Sequence, residues 1–125
     1  MRLAIAALAL LAACETPVAS GIPEVLQGRW GLVAADCEPG RADAKGLMTV
    51  TGDTLTFYES RAALGEVGER DASSISARFA FTGEGQSWDR WMALGTADGG
   101  QTLVRAVSGA GPDEPDLTYR RCPAG

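Results

Sequence analysis

Met48-Thr49-Val50-Thr51-Gly52-Asp53-Thr54-Leu55-Thr56-Phe57-Tyr58 is the stretch whose reading decides the fold of this chain. Successive side chains of a strand point to opposite faces, so strict alternation marks a half-buried strand. Here two alternating runs flank Gly52-Asp53, a two-residue loop that suits a type II′ hairpin turn. That register sets Val50 opposite Leu55 and Met48 opposite Phe57 on one face. Thr51 then faces Thr54 and Thr49 faces Thr56 on the other. An apolar face backed by a threonine face is what the wall of a barrel or sandwich requires.

The same logic extends in both directions. Ile75, Ala77, Phe79 and Phe81 alternate with Ser74, Ser76, Arg78 and Ala80; after a turn at Glu84-Gly85, Trp88, Met92 and Leu94 continue the apolar face. This register pairs Phe81 with Trp88 but turns Arg90 inward beside Phe79. A bulge near Trp91 is the expected correction, the alternative being a buried cation with a partner. Asp98-Gly99-Gly100 reads as a three-residue loop with a glycine bulge, followed by a strand from Leu103 to Val107. Ser108 to Asp116 is a polar loop, and Leu117 to Cys122 the last strand. Gln27 to Ala34 is the first, and Arg61 to Asp71 allows one irregular strand. From Val25 onward no helical stripe appears. The expected fold is all-β: a small antiparallel up-and-down β-barrel of about eight strands, whose closure removes exposed edges. At that strand number the interior is expected to be just wide enough for side chains to fill.

Composition narrows the chemistry. The chain has 125 residues, which fits one domain, and is 46% hydrophobic and 22% charged, as globular proteins are. It contains no histidine, which excludes Ser-His-Asp and Cys-His catalysis and a His-ligated zinc site. A formal charge of −5 argues against a nucleic-acid partner, because such binding rests on cationic contacts to phosphate. Three cysteines make an odd count.

Arg2 and the uncharged apolar run Leu3 to Ala13 have the form of a secretory signal, about half the length a membrane-spanning helix needs. The run ends in Leu11-Ala12-Ala13-Cys14, which resembles a bacterial lipobox. That resemblance implies a lipid-modified Cys14 at a new N-terminus, anchored by acyl chains at ~0.8 kcal/mol per buried methylene. The organisation is then a signal peptide at 1–13, a lipidated cysteine and tether at 14–24, and a barrel at 25–125. Thr16 to Pro23 reads as the tether. Glu15 stands where some bacteria use aspartate to retain a lipoprotein in the inner membrane, so outer-membrane anchoring facing the periplasm is expected.

Cys37 and Cys122 remain. Beyond a secretory signal the compartment is oxidising, so a structural disulfide is the expected state. Closing so long a loop removes on the order of 4–5 kcal/mol of unfolded-chain entropy.

Gly28-Arg29-Trp30 on the first strand and Arg120-Arg121 on the last resemble the calycin superfamily, which includes lipocalins and small bacterial metalloprotease inhibitors. The resemblance implies that Gly28 lets the strand bend, that Trp30 plugs the barrel base, and that Arg120 or Arg121 lies over its indole. The chain departs from lipocalins in lacking a C-terminal helix, and from the inhibitors in a disulfide spanning nearly the whole domain. It is also similar to short alphaproteobacterial lipoproteins through Ile22-Pro23, Leu26, Gly28 and Trp30, through Phe57 to Ser60, and through Arg121-Cys122-Pro123.

Carboxylates are the remaining acid/base candidates, and Glu59, Glu66 and Glu69 read as solvated surface charges. Asp113-Glu114-Pro115-Asp116 lacks the spacing and glycine of a calcium loop. Lys45 has no Ser-x-x-Lys setting. The expectation is therefore a monomeric envelope lipoprotein without catalytic residues, metal or cofactor. Its membrane contact is through Cys14, and its barrel binds an envelope or secreted protein, as a hydrolase inhibitor would. The alternative is a lipocalin-like carrier of a small ligand, which needs an apolar cavity of roughly 300 Å³ or more.

Overall fold

A computed structural model describes residues 21–108 and 114–124. Its strands are β1 (Gly28–Gly31), β2 (Met48–Val50), β3 (Thr54–Thr56), β4 (Arg61–Arg70), β5 (Ser74–Gly83), β6 (Gln86–Gly95), β7 (Thr102–Val107) and β8 (Leu117–Arg121). Each pairs antiparallel with its neighbour in sequence, and β8 returns to β1, closing an eight-stranded up-and-down barrel. Two short 3-10 turns, Glu24–Leu26 and Ala34–Cys37, complete the regular structure among the described residues.

The deciding hairpin has the expected register, with Thr49 opposite Thr56 and Val50 opposite Leu55. Its turn differs from type II′, because Gly52 does not adopt the positive φ that turn requires. The Thr51 hydroxyl is the reason: it accepts from the backbone N–H of Thr54 at 3.0 Å and of Asp53 at 3.4 Å, holding the turn from its side chain.

The long hairpin pairs Phe81 with Trp88 and Phe79 with Arg90 in an unbroken register. Glu84 and Gly85 have φ of 50° and 75°, the two positive values of a type I′ turn. The bulge expected near Trp91 is absent. Arg90 keeps its inward parity but lies beyond the end of β7, whose last pair sets Val107 opposite Met92, so it is exposed. The ladder irregularities fall instead on β4, between Leu64 and Val67 and between Val67 and Glu69. The turn containing Asp98, Gly99 and Gly100 is also longer than expected, running from Gly95 to Thr102. Asp98 organises it, accepting from the backbone N–H of Gln101 and Thr102 and the hydroxyls of Thr96 and Thr102.

Alternation delivers one continuous core. Trp30, Met48, Leu55, Ala62, Ile75, Ala77, Phe79, Met92, Leu94, Leu103 and Tyr119 are all at most 2% exposed. Arg78, Asp89, Thr118 and Arg120 point the other way and are exposed. An apolar inside and polar outside reverses the order of a barrel whose strands face lipid. Among the described residues no helix is long and apolar enough to cross a membrane.

Strand direction defines two ends. The base carries the start of β1 and the end of β8; the mouth carries the end of β3, the β5–β6 turn and the start of β8. The domain begins earlier than residue 25. Ile22 and Pro23, read as tether, are buried; the Ile22 N–H donates to Gly52 O at 2.8 Å, and Arg70 Nε donates to Gly21 O at 2.5 Å. An isoleucine flanked by Gly and Pro has no periodicity to announce it, yet it covers the open base. Cys14 and the residues read as a signal segment and as the rest of the tether lie outside the described residues.

Candidate functional site

The base is closed by an interlocked set of groups. Trp30 is fully buried, and its indole N–H donates to the Leu26 carbonyl at 2.9 Å within the entering 3-10 segment. Arg121 pairs with Trp30 in register, and its guanidinium lies 4.2 Å from the ring centroid. The same guanidinium donates to the carbonyls of Gly100, Gln27 and Val25, at 2.6, 2.8 and 2.5 Å. These contacts satisfy the guanidinium while it covers the indole, an arrangement worth ~0.5–2 kcal/mol for the ring contact alone. Gly28 is required here: its φ is +121°, and a Cβ would sit 2.8 Å from Arg121 Nη1. Arg120 alternates to the outer face and takes no part, so only one of the two neighbouring arginines caps the indole.

The seam between β1 and β8 is a short ladder, in which Trp30 faces Arg121 and Gly31 faces Arg120. Cys37 and Cys122 form a disulfide beside it, with Cα atoms 5.1 Å apart across a sequence separation of 85. Gly31 makes the approach possible, since a Cβ there would lie 3.0 Å from Cys37 Sγ. Asp36, 5% exposed, holds the adjoining loop. Its carboxylate accepts from the backbone N–H groups of Leu32, Val33 and Gly46 at 3.0, 3.1 and 3.2 Å. The sequence reading missed Asp36. Its partners are backbone groups on both arms of a loop, and no side-chain pattern marks them.

The mouth is the opposite case. A cavity of about 450 Å³ opens there, walled by Phe81, Trp88, Met92, Val107 and Leu117, with Arg90, Arg105, Glu114 and Pro115 around them. Phe57, Phe81 and Trp88 form a row of near-parallel rings, with centroid separations of 5.8 and 5.4 Å. Arg90 Nη1 donates to Glu114 Oε2 at 3.1 Å, linking β6 to the residues before β8. Arg105, half-buried, places its guanidinium 4.9 Å from the Phe57 centroid and 5.7 Å from that of Tyr119. Burial pushes the Tyr119 hydroxyl above its ordinary value; Arg105 opposes that rise and Asp36 adds to it. The interior expected to be filled throughout is therefore filled only in its lower part. Phe79 and Trp30 pack solidly and Phe57 is half-buried, whereas Trp88 borders the cavity.

The other candidates are dispersed. Glu59 lies in the turn after β3 at the mouth, whereas Glu66 and Glu69 occupy the part of β4 that runs toward the base; all three are exposed. Lys45 is exposed, Glu114 is paired with Arg90, and Asp113 lies outside the described residues. Among the described residues no three His, Cys, Asp or Glu side chains stand close enough to share a metal ion. The chain matches no family model, and neither the curated proteins nor the solved structures include a match.

Proposed function

We propose that this chain is a membrane-anchored, non-catalytic binding protein of the cell envelope whose barrel mouth takes up the apolar part of a small ligand. The observation that carries this reading is the cavity of about 450 Å³ at one end of an otherwise packed barrel. Its size lies within the range of sites that enclose most of a small molecule, and an apolar wall with few polar groups is their usual make-up. Anchoring rests on the lipobox-like Leu11-Ala12-Ala13-Cys14. Gly21, through which the chain continues toward Cys14, is held at the base, so the mouth is the end remote from that attachment.

Binding of a neutral fluorescent apolar probe tests the reading. Saturable one-to-one binding that disappears in Val107→Trp, a substitution that fills the mouth, is the expected result; absence of saturable binding overturns it. For the anchor, Cys14→Ala releases the protein into the soluble envelope fraction, and a variant that stays membrane-bound refutes the lipid attachment.

Docking of another protein, as for an inhibitor, is the second reading. It is favoured by Tyr58 and Trp88, which are 45% and 36% exposed at the rim. Crosslinking from position 58 in the native envelope to one defined protein, with no probe binding, selects this reading over the first.

A further inference from the structure

Resting on the ligand-binding reading above, we infer that the mouth selects an amphiphile with an anionic head, a carboxylate or phosphate, which Arg105 binds while the apolar body lies against Phe81, Trp88 and Met92. The charges bordering the cavity run against those of the molecule. The chain as a whole carries −5, yet the cavity is lined by two arginines and one glutamate. Glu114 is committed to Arg90 at 3.1 Å. None of the ion pairs among the described residues involves Arg105.

The setting of Arg105 suits an anion. Stacking against Phe57 and Tyr119 supports the faces of the guanidinium, and its N–H groups radiate in the plane, where a carboxylate or phosphate oxygen is recognised. A cation partly withdrawn from water beside apolar walls gains most from a partner of opposite charge. Arg121 at the base shows the contrast, because backbone carbonyls already occupy its N–H groups. Leu117 stands opposite Arg105 and Met92 opposite Val107, one inward step nearer the mouth, so the apolar surface runs from Arg105 outward and head and body are recognised together.

Isothermal titration of the full chain carrying Cys14→Ala, with probes below their micelle concentrations, decides the matter. The probes are dodecanoate, dodecyl phosphate, dodecanol and dodecyltrimethylammonium. An anion is expected to bind on the order of tenfold more tightly than dodecanol, the factor one charge-assisted hydrogen bond supplies. Arg105→Gln should bring both anions down to the affinity of dodecanol, with circular dichroism reporting that the variant is folded; Arg105→Lys should retain part of the preference. The two anionic arms show which head is preferred. Equal binding of dodecanol and both anions, tightest binding of the cation, or an anion preference that survives Arg105→Gln each overturns the ligand class while the binding site itself stands. If no probe binds, the proposed function fails as well.

Discussion

At the base, Trp30 is fully buried, its N–H is donated to Leu26 and its face is covered by Arg121; at the mouth, Trp88 has the same inward parity yet is 36% exposed and stacks on Phe81. Both ends place an arginine beside an aromatic ring. The difference lies in what else each arginine touches. Arg121 is tied to three backbone carbonyls from two chain segments, so the base is one cooperative unit. Arg105 lies against two rings and has no side-chain hydrogen bond or ion pair among the described residues, and the cavity beside it is spanned by the exposed Arg90–Glu114 pair. Exposed pairs of this kind contribute little stability, so this pair does not hold the mouth together as Arg121 holds the base. Under the proposed function, stability lies at one end and recognition at the other.

The largest effect that would break this division is at the base. Trp30→Ala should destabilise the protein by about 4–5 kcal/mol, because it leaves a large cavity in a closed core. Urea unfolding measures it, and a loss near 1 kcal/mol would show that the base is not the cooperative unit. Replacing both Cys37 and Cys122 by serine should cost about 3–4 kcal/mol, somewhat below the ideal loop-entropy figure because the denatured chain retains structure. The disulfide lies beside the short β1–β8 ladder, so hydrogen exchange should accelerate first at Trp30 and Gly31; uniform acceleration would deny the seam its special role. Trp88→Ala sharpens the contrast. It should cost only about 1–2 kcal/mol of stability, since the ring is partly exposed and stacked on one face. It should nevertheless abolish probe binding at the mouth; the reverse pattern would exchange the roles of the two ends.

The smallest effect concerns acid. The backbone N–H and hydroxyl of Thr102, with Thr96 and Gln101, hold the Asp98 carboxyl down to about 2 from its ordinary 3.8. A depressed carboxyl favours folding above pH 3.8 and loses that contribution as pH falls through about 2. The turn is exposed, so the predicted consequence is local: NMR titration should show the Asp98 midpoint near 2, and Asp98→Asn should loosen Thr96 to Thr102 without moving the mouth signals. An Asp98 midpoint at the ordinary value would remove the turn from the account of the base.

Much of the wall was legible because its signal is local. Val50 with Leu55 and Phe81 with Trp88 follow from alternation counted outward from a turn, and they pair so in the barrel. Turn chemistry was less legible. Gly52-Asp53 matches a type II′ loop by composition, but the Thr51 hydroxyl competes for the same N–H groups and a non-glycine conformation prevails. Arg90 shows where parity stops being enough. Alternation correctly turns it inward, but parity carries no depth, and whether an inward position meets core or open space depends on how high the opposite strands reach. Asp36 and Ile22 were missed for a related reason: each is defined by backbone groups or surfaces distant in sequence.

The amino-acid sequence by itself determined the all-β class, the register of the β2–β3 and β5–β6 hairpins and the cysteine pair, because period-two alternation and short loops act between near neighbours. Only the tertiary structure decided which level of the barrel is filled, that Arg121 and not Arg120 covers Trp30, and that Arg105 stands beside a cavity. Those outcomes depend on closure of β8 onto β1, which brings together residues from opposite ends of the chain.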